Sequence, residues 1–256
     1  MMKKKSKAKL SLVGAGPGDP DLITIKGVRA LQSADVILYD ALVDTRLLEY
    51  RSDGTDCIYV GKRAGQPYIA QEEINQLIVD LALKDDGQHV VRLKGGDPFI
   101  FGRGFEEIQF AAAKAIETEV IPGLSSGLAA PAVSRIPLTF RGLSREVRLI
   151  TAATREGRIS EELLDAVGTK GTLVIYMGVK ALPKIVRAFQ EKSLGQKPVV
   201  VIQEGTNKNE KIVFGEINSI IQNCKKENIQ APALIIIGEV VGLHPEFQKQ
   251  EFAENF

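Results

Sequence analysis

The chain has 256 residues, 44% of them hydrophobic and 25% charged, with 33 lysines and arginines against 32 aspartates and glutamates. That length and composition point to two ordinary globular domains. A net charge of +1 provides no overall field to draw in nucleic acid or anionic lipid, so any polyanion must meet a local basic cluster. The two cysteines, Cys57 and Cys224, and the two histidines, His89 and His244, make neither a disulfide scaffold nor a good zinc set. They fit a reducing compartment, and no metal is expected.

The Lys-rich start, residues 1–10, reads as a solvated tail, because the apolar stretch 10–13 stops at Gly14, too short for a signal core. The longest apolar runs, such as 198–202 and 233–237, have strand length, whereas a membrane helix needs about 20 residues. A cytoplasmic protein without a membrane anchor is the expectation.

Short stretches rich in β-branched residues at 9–13, 35–39, 57–60, 89–93 and 119–121 predict strands. Between them, 24–33 and 71–83 have helical spacing, the second with Ile74, Leu77, Ile78 and Leu81 on one face. The pattern resumes after Arg141 at 147–150, 172–176, 199–202, 211–214 and 233–237. Strands alternating with helices predict an α/β fold with mostly parallel sheets covered on both faces. Only a polar turn, 205–210, separates 199–202 from 211–214, so those two are expected to form an antiparallel hairpin. The polar connection 139–146 is the expected boundary, giving an N-terminal α/β domain over 1–143 and a C-terminal one over 144–256.

In such folds ligands sit beyond the carboxyl ends of the strands. The first strand is followed by Gly14-Ala15-Gly16-Pro17-Gly18-Asp19-Pro20, a poor dinucleotide loop. Its third glycine falls one residue early, Asp19 repels a pyrophosphate, and Pro17 and Pro20 lack the N–H groups that cradle one. No Gly-Lys-Ser/Thr follows, which excludes a nucleoside triphosphate loop. At the end of the fourth predicted strand comes Arg92-Leu93-Lys94-Gly95-Gly96-Asp97-Pro98-Phe99-Ile100-Phe101-Gly102-Arg103-Gly104, and after the fifth Pro122-Gly123-Leu124-Ser125-Ser126-Gly127. A carboxylate, open carbonyls and small hydroxyls suit a cationic, hydroxyl-bearing ligand without phosphates. S-adenosylmethionine fits these loops better than NAD or ATP.

Several of these segments together resemble the tetrapyrrole methylase superfamily. They are residues 13–19, 35–40, 59–65 and 91–103, followed by 121–123, 136–139, 176–178, 204–206 and 232–235. The closest resemblance is to the branch that begins siroheme and cobalamin biosynthesis from uroporphyrinogen III, and it covers residues 9–242. The resemblance implies two tandem α/β domains with an active site in the trough between them, a homodimer, and S-adenosylmethionine as methyl donor. It implies two methyl transfers to uroporphyrinogen III, giving precorrin-2; a sister methyltransferase acting on a later precorrin is the alternative.

Carried over residue by residue, the resemblance makes Pro17, Gly95, Gly96, Asp97, Ile100, Ser125, Ser126, Met177, Gly205 and Ala233 cofactor contacts. It makes Asp40 the proton acceptor and Lys62 the proton donor, and it assigns Arg103, Glu106 and Arg141 to substrate handling. Arg103 and Glu106 are also candidates to assist proton loss. Asp40 reads equally well as a cap at a strand end. Two departures flank substrate positions: Phe105 stands where the family has glycine, and Phe140 where it has histidine. Uroporphyrinogen III carries eight carboxylates, and Lys62, Arg63, Lys94, Arg103, Arg135, Arg141 and Arg145 in or beside predicted loops are candidates to orient it.

Overall fold

In the computed structural model, residues 7–61, 69–152 and 158–248 are described. They form two compact units that divide between Ser125 and Ser126. The polar connection 139–146 lies inside the second unit, between its first helix and its first strand. Among the described residues no helix is long and apolar enough to cross a membrane.

The first unit is built on strands β1 (Lys9–Gly14), β2 (Val36–Tyr39), β3 (Asp56–Tyr59), β4 (His89–Lys94) and β5 (Glu117–Ile121), paired in the order β3-β2-β4-β1-β5. All four pairings are parallel, as the alternation of strands and helices predicts. Three helices connect them: α1 (Ile25–Ser33), α2 (Gln71–Ala82) and α3 (Gly104–Ala112). Thr24 caps α1 by accepting the Gly27 N–H at 3.0 Å, and Glu72 and Glu73 place negative charge in the first turn of α2.

Side chains alternate across the sheet, so each strand feeds two cores. Val13, Ile37, Val91, Leu93 and Ile121 pack with Ala30 and Leu31 of α1. Leu10, Leu12, Leu38 and Val90 pack with Ile74, Ile78 and Val79 of α2 and Ala111 of α3. Each Val, Leu or Ile among them contributes roughly 1.5–3 kcal/mol on burial.

The strand order positions the functional edge. The chain leaves β1 in one direction, toward β2, and later leaves β4 in the other, crossing β1 to reach β5. The carboxyl ends of β4, β1 and β5 therefore lie side by side, with Gly14 in register with Lys94 and Val13 with Ile121. An open parallel sheet binds ligands at such a reversal of strand order.

The second unit holds α4 (Ser126–Val133), β6 (Val147–Thr151), α5 (Glu161–Ala166), β7 (Thr172–Tyr176), α6 (Leu182–Glu191), β8 (Pro198–Gln203), β9 (Lys211–Glu216), α7 (Ile220–Lys226) and β10 (Ala233–Ile237). Its strand order is β6-β7-β10-β8-β9. The predicted hairpin is present, β8 pairing antiparallel with β9. The expectation of a mostly parallel sheet fails in this unit: only β6 and β7 are parallel, and β10 runs antiparallel to both β7 and β8. The hairpin is the reason. It reverses the chain at β9, and the crossover through α7 preserves that reversed direction, so β10 inserts against the run of β7 and β8.

At the amino ends of the first sheet, Glu119 takes the ammonium groups of Lys26 at 2.5 Å and Lys9 at 2.7 Å. Those two bonds, Lys26's the stronger, hold its carboxyl down to about 2 against an ordinary 4.5. A depressed carboxylate contributes stability above its unfolded value and loses it as pH falls toward the folded one. Glu119→Gln is therefore expected to lower stability at pH 7 by about 1 kcal/mol, the scale of exposed ion pairs. The gap to wild type should close between pH 4.5 and pH 2, measured by thermal unfolding across that range.

Candidate functional site

Three loops leave the carboxyl edge of the first sheet, and they hold one another by backbone contacts. Gly16 and Gly96 exchange hydrogen bonds, with N···O distances of 3.3 and 2.7 Å, in an antiparallel bridge between the first and second loops. Ala15 adds a third bond to the Lys94 carbonyl at 2.8 Å. Gly14 faces the third loop so closely that a Cβ there would stand 2.5 Å from the Gly123 Cα and 2.7 Å from the Gly96 oxygen. No side chain fits at that distance, which is why glycine recurs in all three loops.

Asp97 fastens the same contact. Its Oδ1 accepts the Phe99 N–H at 2.8 Å and its Oδ2 accepts the Gly123 N–H at 3.2 Å, tying the second loop to the third. The carboxylate stays half-buried with acceptor positions to spare. Pro17 is half-buried in the first loop, Ile100 is exposed at the tip of the second, and Ser125 is buried at the end of the third. Asp19 accepts the Asp21 N–H at 3.0 Å, capping the short turn at Pro20–Leu22.

Within the second unit, Met177 follows β7 in the left-handed region (φ 54°) with its side chain exposed. Gly205 follows β8 between two further left-handed residues, Glu204 and Thr206. Its Cα passes so close to α4 that an added Cβ would meet the Ala130 Cβ at 2.5 Å. Ala233 opens β10 in register with Gln203. Ser126 begins α4, whose next residue, Gly127, donates its N–H to the Tyr176 hydroxyl at 2.9 Å.

Asp40 lies just beyond β2, and the cap read from the sequence is present there. Its Oδ1 accepts the Leu42 N–H at 3.1 Å, a local cap, while Oδ2 takes Arg92 Nη2 at 3.4 Å. Arg103 sits at the N-terminus of α3 in the left-handed region (φ 57°) and grips Glu106 through both Nε (2.8 Å) and Nη2 (2.6 Å). This pair is exposed. Arg141 is exposed in a tight turn closed by reciprocal hydrogen bonds between Phe140 and Ser144. Lys62 and Arg63 lie outside the described residues.

One candidate cation is placed differently from expectation. Lys94 is not a loop side chain but the buried end of β4, 6% exposed, with Nζ 3.0 Å from Glu107 Oε1. Burial, reinforced by the nearby Arg92 charge, lowers its pKa below the ordinary lysine value. The same Glu107 oxygen accepts Arg92 Nε at 3.3 Å and Gln71 Nε2 at 3.0 Å. Arg92, Glu107 and Gln71 were not singled out from the sequence. The signal was two cations at i and i+2 at the end of a predicted strand, a spacing that places both on one face if the strand runs on through residue 94.

An open α/β sheet with glycine-packed loops at its carboxyl edge, acidic rather than phosphate-binding, defines a protein for a small phosphate-free ligand. The match to known proteins is more specific. The family model for Tetrapyrrole (Corrin/Porphyrin) Methylases covers residues 9–221, and the chain belongs to that family. The uroporphyrinogen-III C-methyltransferase of Methanocaldococcus jannaschii is 43% identical over 237 residues, 92% of this chain and 97% of that one. Its Bacillus subtilis counterpart is 43% identical over 255 residues, 96% of this chain and 98% of that one. A crystal structure of uroporphyrin-III C-methyl transferase from Thermus thermophilus, complexed with S-adenyl homocysteine, superposes with a TM-score of 0.78 at 36% identity, covering 92% of this chain and all of that one.

Two substitutions separate the buried charges from the exposed ones. Glu107→Ala leaves Arg92 and Lys94 without their shared counter-charge and is expected to lower stability by about 3–5 kcal/mol. Glu106→Ala, on the exposed pair, should stay within about 1 kcal/mol of wild type. Urea denaturation of the two variants checks both values.

Proposed function

We propose that the chain transfers two methyl groups from S-adenosylmethionine to ring carbons of uroporphyrinogen III, yielding precorrin-2 and S-adenosylhomocysteine. The observation that carries this reading is the 43% identity to a uroporphyrinogen-III C-methyltransferase across 92% of the chain. The loops suit the donor: Gly14, Gly96 and Gly123 leave bare backbone, Asp97 keeps free acceptor positions, and Pro17 and Pro20 offer no N–H to a phosphate. Pro17, Gly95, Gly96, Asp97, Ile100, Ser125 and Ser126, with Met177, Gly205 and Ala233, are the proposed contacts to that donor.

When bound, the donor supplies a sulfonium methyl: an electron-rich ring carbon forms the new C–C bond as the methyl–sulfur bond breaks and its electron pair stays on sulfur. The protein's part is alignment, a contribution of up to about 7–11 kcal/mol in favourable cases. Alignment of the donor falls to the glycine loops, and that of the acceptor to cations meeting its eight carboxylates. Arg103 already holds a carboxylate in a two-pronged grip, that of Glu106, and a substrate carboxylate can replace it there. Arg141 adds a second exposed guanidinium. The methylated ring must then release a proton. Asp40 Oδ2 is the proposed acceptor, and Lys62 the proposed donor in the complementary step. A cytoplasmic homodimer is the proposed working form.

Anaerobic incubation of the purified protein with S-adenosylmethionine and uroporphyrinogen III, read by product mass, tests the reading. A gain of two methyl groups is expected; no gain while S-adenosylhomocysteine still binds would move the substrate to a later precorrin. Arg103→Ala is expected to lower turnover by about 10–100-fold, the loss of one charged hydrogen bond. The same variant should bind S-adenosylhomocysteine as wild type does, measured by calorimetry.

A further inference from the structure

Beneath the loops of the first unit, charged side chains lie on the face of the sheet that Leu10, Leu12, Leu38 and Val90 otherwise line. Arg92 and Glu107 have side chains 4% and 0% exposed. An ion pair so deeply buried is an expensive way to fill space, since apolar residues of similar volume often serve stability as well or better. Its arrangement is directional. Glu107 Oε1 collects Arg92 Nε, Lys94 Nζ and Gln71 Nε2, while its Oε2 takes no hydrogen bond from the described residues. Arg92 Nη1 is fastened to the Leu93 carbonyl at 2.9 Å. That leaves Nη2, which reaches out of the buried cluster to Asp40 Oδ2 at 3.4 Å, a carboxylate 25% exposed.

We propose that Arg92 is the positioning residue of Asp40, and that Glu107 is the anchor that fixes Arg92 in place. The inference rests on the reading of Asp40 as proton acceptor given above. The Asp40 carboxylate is then set from two sides: its own turn holds Oδ1 through the Leu42 N–H, and the Arg92 fork sets the direction of Oδ2. At 3.4 Å the contact is longer than a saturated charged hydrogen bond of about 2.7–2.9 Å. It orients Oδ2 and leaves its lone pairs open to a proton. Lysine, a point charge without a planar fork, keeps the charge at this position and loses the direction.

A four-member cycle tests the proposal: wild type, Asp40→Asn, Arg92→Lys, and the double variant. Each is assayed for kcat of anaerobic methyl transfer to uroporphyrinogen III and for the Kd of S-adenosylhomocysteine. Asp40→Asn is expected to lower kcat by about 100-fold or more, the scale of a general base. Arg92→Lys alone is expected to lower kcat roughly 10-fold, yet change it less than about twofold when Asp40 is already Asn, because residues acting as one unit are not additive. S-adenosylhomocysteine affinity should hold within about threefold throughout. Losses that multiply, an Arg92→Lys enzyme as fast as wild type, or affinity that falls with kcat would each overturn the proposal. A wild-type protein without turnover removes the function itself, and full turnover in Asp40→Asn removes the acceptor; the two failures are told apart by which member shows them. Should Arg92→Lys not fold, Glu107→Gln, which keeps an oxygen acceptor for Arg92 without the charge, takes its place with the same expected pattern.

Discussion

The carboxyl edge of the first sheet depends on three backbones meeting with no side chain between them. Gly14, Gly96 and Gly123 approach until a single Cβ would collide. Two amide–carbonyl bonds between Gly16 and Gly96, with the Asp97 carboxylate on the Gly123 N–H, lock that approach. The strand order makes it possible, because β4, β1 and β5 are neighbours although 80 residues of chain separate Gly14 from Lys94. From this contact follow the exposed tip at Phe99 to Phe101, the start of α3 at Arg103 and the half-buried position of Asp97.

A second constraint lies directly beneath. Arg92 and Lys94 occupy alternate positions on β4 and so point to the same face, toward α2 and α3. Two buried cations there need a counter-charge, and Glu107 in the first turn of α3 supplies it. The cluster joins the helix layer to the strand that carries the second glycine loop, and through Arg92 it joins that loop's strand to the turn holding Asp40. Loop packing above and charge pairing below thus act on the same few residues at the end of β4.

Much of this was legible in the residues themselves. Short stretches rich in β-branched residues and segments with helical spacing marked the elements, and the short polar turn before Lys211 marked the hairpin. The glycine-rich loops, with aspartate and proline where a phosphate site needs free N–H groups, pointed to the class of ligand. Other features were not legible. The direction of β10 follows from a reversal two elements earlier, which leaves no local trace in residues 233–237. Lys94 reads as a loop cation because glycines follow it directly, and only the register with Gly14 shows that it still belongs to a buried strand. Asp97 reads as a ligand acceptor, and the fold also engages both of its oxygens in joining loops.

What the sequence by itself determined is therefore local and compositional: which segments are strands or helices, which loops are stripped of side chains, and which family's motifs they carry. Each follows from propensity, periodicity and the steric freedom of glycine, properties that act within a few residues. The tertiary structure alone decided which loops meet, which cations are buried, and that Arg92 from the buried cluster reaches Asp40. Those outcomes depend on strand order and register, and these are set by how helices cover the sheet and by contacts between residues far apart in the chain.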